Sequence, residues 1–410
     1  MKELFSLGEI YPSDFLKEGE TPHCPPVELK MCLDHNGVAR LEKTAPKEYM
    51  YGRYWYRSSV TKTMKDELCD IVQSILRVKR FRKTNNVWVD IACNDGTLLS
   101  CVPHKRYSPK EFIRIGVDPA NDEYKAQSIE HADSIIQDYF RADLLGDIKA
   151  DVITAIAMFY DLEEPEKFLA DVHKVLADDG IFVMQLSYTP LMLQQLAFDN
   201  ICHEHIFYYS FGNLKALLET NGFRVVDCQL NNTNGGSFRV YIMKESANIN
   251  LFAAQPHRDV CNFRMTTILE HEKTLELSNP VTWLNFYERV NQLKNTVVDF
   301  IKKANEEKKT VWAYGASTKG NTLLQYFGLD NSLIHGIAER SPEKYGLRTV
   351  GTNIPIYPED VMRECQPDYL LILPWHFITE FRERECKYLS KGGSFIVPMP
   401  KFEIITKDTL

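Results

Sequence analysis

The 410-residue chain has no uninterrupted apolar run of the about 18 residues that a bilayer-spanning helix needs, so no such helix is expected. It has no basic excess either: 48 Lys and Arg stand against 56 Asp and Glu, a formal net charge of −8. That balance argues against a general nucleic-acid or anionic-membrane surface, while leaving room for one local basic pocket. The N-terminus, MKELFSLGEIYPSDF, carries acids early and lacks the apolar core of a secretory signal. The ten cysteines, at 24, 32, 69, 93, 101, 202, 228, 261, 365 and 386, form no paired framework and read as reduced thiols of a cytoplasmic protein. Fixed-period repeats, low-complexity tracts and heptads are missing too, which sets aside solenoids and coiled coils.

What remains is ordinary globular material, 44% hydrophobic and 25% charged, in a chain long enough for two or three domains. Residues 1–60 are rich in Pro, Gly, Tyr and charge and read as a small irregular lobe. A helical period follows at Met64, Leu68, Ile71, Val72, Ile75 and Leu76. From VWVDIA (87–92) strands and helices alternate: FIRIGVD, SIIQDYF, DVITAIAMF, a helix over 166–177 closed by Gly180, IFVMQLSY, a helix over 212–222, then FRVVDCQL and SFRVYIM. That alternation predicts a parallel sheet covered by helices over 61–250. Residues 251–308 read as a helical connector. Alternation restarts over 309–410 with TVWAYGA, LIHGIAE, DYLLILPW, a helix near 377–390 and GSFIVPM, a second α/β unit.

The sharpest local signal is VDIACNDGTLL (89–99), a buried strand running into a Gly-containing turn that opens a helix. Ligands of doubly wound sheets bind at the carboxyl ends of the strands, beside the switch point. Asp90 is expected to hold the turn, and Ala92, Asn94, Asp95, Gly96 and Leu98 to lie along a bound cofactor. Asp118 and Pro119 end the next strand, where an acid hydrogen-bonds a ribose diol. Gln137 and Asp138 suit an adenine edge, and Ala157 and Met158 a sulfonium end. The stretch Ala92–Gly96 has one glycine, too few for the G-x-G-x-x-G of a nicotinamide site.

A second signal is ICHEHIFYYS (201–210), in which His203 and His205 flank Glu204. Imidazole titrates near neutral pH and is the usual general base. The spacing is wrong for a zinc-protease motif, and His-x-His lacks the further ligands a metal needs. A third signal is GASTKGNT (315–322). A Gly-rich turn bearing Ser317, Thr318, Lys319 and Asn321 opens a helix, a place that favours anions, although its glycine order is not that of a Walker A loop. Glu339 ends the following strand, where a nucleotide fold places a ribose acid. NGGSFRVY (234–241) offers Arg239 either as a bidentate anion contact or as a buried arginine with a structural carboxylate partner.

Taken with YRSS (56–59), these stretches resemble the sugar C-methyltransferases that act on nucleotide-linked deoxyketosugars, over nearly the whole chain. The resemblance implies a class I S-adenosylmethionine (SAM) methyltransferase domain, a C-terminal Rossmann-like domain that holds the nucleotide-sugar, and a degenerate zinc-type N-terminal lobe. It implies His205 as base, with His203, Glu204 and Tyr56 binding or polarising the enolate oxygen, and Ser58, Arg239, Ser317, Thr318, Lys319 and Asn321 on the substrate. The chain departs from the family in three places. Only Cys32-x-x-His35, with His23-Cys24 nearby, remains of two Cys pairs, so a packed, metal-free lobe is expected. Tyr160 and Asp161 stand where the family often has a catalytic histidine, and Cys202 replaces a tyrosine. The last two keep Asp161 and Tyr160 as rival bases and O-methylation as a rival to C-methylation. A non-catalytic nucleotide-sugar binder is a third reading, opposed by the intact DIACNDG turn.

Overall fold

The N-terminal residues carry more regular structure than their composition suggests. Strands β1 (Lys2–Ile10), β2 (Val27–Leu33) and β3 (Ala39–Leu41) pair antiparallel. The β1 register slips between Ser6 and Glu9, around Gly8 at φ +84°, so the strand has no clean period of two to read. The computed structural model describes residues 1–51, 55–82, 85–104 and 111–409. These divide into two compact units, one of residues 1–56, 190–205 and 277–410, the other of residues 57–189 and 206–276.

The second unit opens with α1 (Lys62–Val78), capped by Thr61, whose hydroxyl accepts the Met64 N–H. Its apolar stripe of Met64, Leu68, Ile71, Val72 and Ile75 is buried, as the sequence period requires. There follow β4 (Asn86–Ile91), α2 (Thr97–Ser100), β5 (Phe112–Val117), α3 (Asp122–Ser128), β6 (Ser134–Ile136), β7 (Ala150–Ile156), α4 (Pro165–Val175), β8 (Leu176–Ser187), α5 (Phe211–Thr220), β9 (Phe223–Asn231), β10 (Ser237–Lys244) and α6 (Gln255–Leu275). The seven strands lie in the order β9-β10-β8-β7-β4-β5-β6. The run from β8 to β6 is parallel, but β10 is antiparallel to both neighbours. An all-parallel sheet therefore fails at its edge, because the short Asn232–Gly236 connection makes β9 and β10 a hairpin. Gly180 does not close α4. It lies within β8, where a Cβ would meet the Ala150 carbonyl at 2.9 Å. The structure also joins Cys69 of α1 to Cys101 after α2, so these two are not the free thiols expected.

In the first unit, α7 (Pro280–Glu306) precedes β11 (Val311–Tyr314), α8 (Thr318–Phe327), β12 (Ile337–Glu339), β13 (Ile356–Pro358), β14 (Tyr369–Ile372), β15 (Ser394–Val397) and β16 (Glu403–Ile405). The sheet order is β13-β12-β11-β14-β15-β16, parallel except for β16. Phe5 of β1 stacks on Tyr287 of α7 at 4.8 Å, which seats the N-terminal strands on this unit. Both sheets reverse strand order once, between β4 and β7 in one and between β11 and β14 in the other, and these are the ligand positions of an α/β fold. Among the described residues, no helix is long and apolar enough to cross a membrane.

Candidate active site

The turn after β4 holds two non-glycine residues in the left-handed region, Ala92 (φ 57°) and Asn94 (φ 51°), followed by Gly96 (φ 78°). A Cβ on Gly96 would lie 2.9 Å from the Ser128 Cα, so only glycine lets the chain pass here. Such a conformation costs energy and persists where neighbours over-determine it. Asp118 is one such neighbour. Its Oδ2 accepts the Asn94 N–H and its Oδ1 the Ala120 N–H, each at 2.8 Å. Burial pushes its carboxyl up, and the two N–H bonds oppose that. Each oxygen keeps a second lone pair, so a ribose diol can still be accepted.

Several of the expected cofactor residues also make bonds within the protein. Asp95 is buried, with Oδ1 accepting the N–H and hydroxyl of Thr97 and Oδ2 the Ser59 N–H. These bonds brace the turn just before α2. Leu98 packs in the core with Leu99 and Val102. Asp90 does not hold the turn by a side-chain bond. It accepts the Thr154 hydroxyl at 2.6 Å, Thr154 in turn accepts the Trp88 indole N–H, and burial raises the carboxyl to about 7. Ser58 lies at this turn, its N–H donating to Asn94 Oδ1 at 3.1 Å. Gln137 donates to the Ala120 carbonyl, and Asp138 pairs with Arg141, which holds its carboxyl low. Ala157, at φ 56°, and Met158 end β7 with part of their surface open, and Pro119 is likewise half-buried. Tyr160 is buried, and its carbonyl accepts the Ile206 N–H. Asp161 closes the same short turn.

Residues 190–205 leave the strand order of the second unit and belong to the first. His203 is 2% exposed, and its Nε2–H donates to the Ile10 carbonyl at 2.8 Å. Burial pushes it down to about 4. The ring ties this segment to the end of β1, which gives it a structural role. His205 donates from Nδ1 to the Asn200 carbonyl at 2.8 Å, which puts its lone pair on Nε2. Burial, then the Lys319 charge, pushes it down to about 3. Glu204 is buried and raised by burial, while the Cys202 thiol bonds to it. Tyr56, 38% exposed, closes the first stretch of this unit.

The turn after β11 joins this group. Burial lowers Lys319, and Asp199 and Cys202 oppose the shift. Its neighbours serve the fold. Ser317 caps α8 by accepting the Gly320 N–H at 3.0 Å, and Thr318 is the first residue of the helix. Asn321 is buried, donating to the Ser13 hydroxyl and the Asp14 carbonyl. Glu339 accepts the N–H groups of Ala316, Arg340 and Ser341, which leaves it a poor ribose acid. Arg239 is buried and bonds to Gln185, Asp70, Ser74 and Glu67 within the second unit, the structural-partner alternative for this arginine. Two residues that no motif singled out stand at the first unit's site. Asp199, 1% exposed, accepts the Trp375 indole N–H at 3.1 Å, and His376 follows. The acid just before His-Glu-His and the PWH ending the strand DYLLILPW were the available signals.

A structural zinc does not fit the N-terminal lobe. Cys24 packs against Ala45 and Met50, Cys32 is buried on β2, and His23 sits beside Glu20 at 3.2 Å. Among the described residues, no group of three or more His, Cys, Asp or Glu could hold a metal.

Residues 60–227 match a family model described as a methyltransferase domain, and residues 232–400 one described as a C-methyltransferase C-terminal domain. The chain is similar to the C-methyltransferase NovU of Streptomyces niveus, 27% identical over 368 residues, which is 88% of this chain and 83% of that protein. Among solved structures it is similar to an S-adenosylmethionine-dependent methyltransferase from Clostridium acetobutylicum (13% identity, TM-score 0.35, 44% of this chain and 92% of that one). A further similarity is to magnesium protoporphyrin IX methyltransferase from Synechocystis with bound SAM (11% identity, TM-score 0.34, 48% and 89%).

Proposed function

Because the chain is a SAM-dependent methyltransferase whose C-terminal part is of the C-methyltransferase type, we propose that it methylates carbon on a nucleotide-linked keto-deoxysugar. The observation that carries this reading is His205, a neutral imidazole of fixed tautomer in the same unit as the lysine-bearing turn. The cofactor, when bound, supplies an electrophilic methyl group to a nucleophilic carbon. The second unit's residues fit it: a backbone turn that excludes a side chain at Gly96, Asp118 for the ribose, Gln137 and Asp138 for the adenine, and Ala157 and Met158 for the sulfonium end.

The chain's own residues make the carbon nucleophilic. A ketone acidifies the neighbouring C–H, and His205 Nε2 accepts that proton. Nδ1–H stays on the Asn200 carbonyl, so the ring keeps its orientation as it becomes charged. A value of about 3 is too low for an efficient base, but the enolate is an adjacent negative charge that raises the ring as the proton arrives. Lys319 places positive charge where the enolate oxygen develops, stabilisation of the oxyanion-hole type. Glu204 and Tyr56 bind the sugar around it.

Proton abstraction without methyl transfer tests the step. In D2O without SAM, NMR should show deuterium entering the carbon beside the ketone of a nucleoside diphosphate 4-keto-6-deoxyhexose. No exchange, together with an O-methyl product once SAM is added, would make the chain an O-methyltransferase.

A further inference from the structure

The switch point of the first unit's sheet lies between β11 and β14. The chain leaves β11 through Gly315, whose Cβ would lie 2.6 Å from Pro374 Cγ, and leaves β14 through Leu373, Pro374, Trp375 and His376. Residues 198–205 are fixed here too. Phe198 stacks on Phe327 of α8 at 5.1 Å, and Asp199 accepts the Trp375 indole N–H. Gly320, the neighbour of Lys319, lies against Leu373, where a Cβ would meet the Leu373 Cβ at 3.0 Å, so the start of α8 sits beside the Leu373–His376 turn, and the Lys319 charge acts on Asp199, His205 and His376 alike.

This neighbourhood holds two buried polar atoms without a hydrogen-bond partner, Oδ1 of Asp199 and Nδ1 of His376, and Glu204, next to His205 in the chain, carries a third, Oε2. Asp199 is 1% and Glu204 9% exposed, so neither oxygen is hydrated by bulk solvent. Orphaned buried groups are rare in a folded protein and call for a ligand or ordered water. Their chemistry selects the ligand. The two carboxylate oxygens are acceptors and want donors, while a phosphate brings more acceptors and negative charge. Ring hydroxyls of a sugar bring donors.

We infer that Asp199 and His376, with Glu204, form a hydroxyl-recognition site at this switch point, which reads the hexose ring of the substrate and not its diphosphate. The inference rests on the nucleotide-sugar reading above. It adds two specificity-determining residues, and it assigns the second Rossmann-like sheet to the sugar. Trp375 orients Asp199 by occupying one of its oxygens, which leaves the other for a ring hydroxyl.

Calorimetry on the full chain tests it with four probes: dTDP-4-keto-6-deoxyglucose, UDP-glucose, and dTDP and UDP alone. The quantity read is the affinity ratio of a sugar nucleotide to its own nucleoside diphosphate. Asp199→Asn and His376→Phe should each lower that ratio about tenfold or more, the loss expected when a buried hydrogen bond to a charged or oriented group is broken. Affinity for dTDP or UDP, and for S-adenosylhomocysteine, should not change, the latter also reporting that the variant is folded. A ratio kept by both variants would mean that buried water satisfies these atoms, and overturns the inference. If Asp199→Asn does not fold, His376→Phe decides alone. If wild type binds S-adenosylhomocysteine but none of the four probes, the nucleotide-sugar reading fails and takes this inference with it.

Discussion

Replacing Asp118 with alanine should act on cofactor affinity and on the turn together. The carboxylate accepts two backbone N–H groups at 2.8 Å, one of them on Asn94, a residue held at positive φ. Hydrogen bonds to a charged group contribute about 1.5–3 kcal/mol each, and left-handed residues other than glycine cost about 1–3 kcal/mol to hold. Alanine removes the bond that opposes the strain, and removes the acceptor proposed for the ribose. S-adenosylhomocysteine affinity should fall by about 1–3 kcal/mol, or roughly 5- to 150-fold. The melting temperature should fall as well, because the turn is anchored without ligand. Asp118→Asn should fall between, since an amide keeps one acceptor oxygen but presents its NH2 to the other backbone N–H. Isothermal calorimetry and thermal melts on the three proteins read both effects. An unchanged dissociation constant in a folded Asp118→Ala protein would remove this residue from the cofactor site, and an unchanged melt would show that it does not anchor the turn.

Other expectations follow from the same geometry. His205→Asn should lose about 10²–10⁴ in kcat while cofactor affinity holds; near-normal turnover there, with a dead Asp161→Asn and measured beside Tyr160→Phe, would move the base to Asp161. Lys319→Ala should raise KM for the sugar nucleotide and spare cofactor affinity, and the reverse pattern in calorimetry would exchange the roles of the two units. Arg239→Met should destabilise by about 1–3 kcal/mol in urea titrations, because it leaves the buried Gln185 oxygen without the guanidinium N–H and removes the charge beside half-buried Glu67; a stable variant with raised substrate KM would place Arg239 on the substrate. His203 is held at about 4 against an ordinary 6.5, so its contribution is full above pH 6.5 and is lost as pH falls toward 4, about 3 kcal/mol in all. Asp90, raised to about 7, works in the opposite sense, with its contribution full below about pH 4 and lost as pH rises through 7. His203→Gln keeps a donor for the Ile10 carbonyl without the titration, so as pH rises from 4 to 6.5 the variant should gain about 3 kcal/mol less stability than wild type in denaturation series.

The sequence alone determined the elements whose signal is local. The stripe of α1, the strand-turn-helix around DIACNDG and the restart of alternation after residue 309 are all set by side-chain period and turn chemistry within about ten residues. The positions of Asp118 and Gly96 were legible for the same reason, since a strand end and a tight turn advertise themselves by residue type. Tertiary structure decided what each polar group is used for. Asp95 and Arg239 looked like ligand contacts because their types suit ligands, yet Thr97 and Ser59 occupy the first, and Glu67 and Asp70 the second. A donor or acceptor in a sequence carries no label for its partner, and in a buried setting the partner decides its role. The meeting of His205, Lys319, Asp199 and His376 was equally out of reach. More than a hundred residues separate Asp199 and His205 from Lys319 and His376, and only the strand order of the second sheet, with the return of residues 190–205 to that unit, brings them into one neighbourhood.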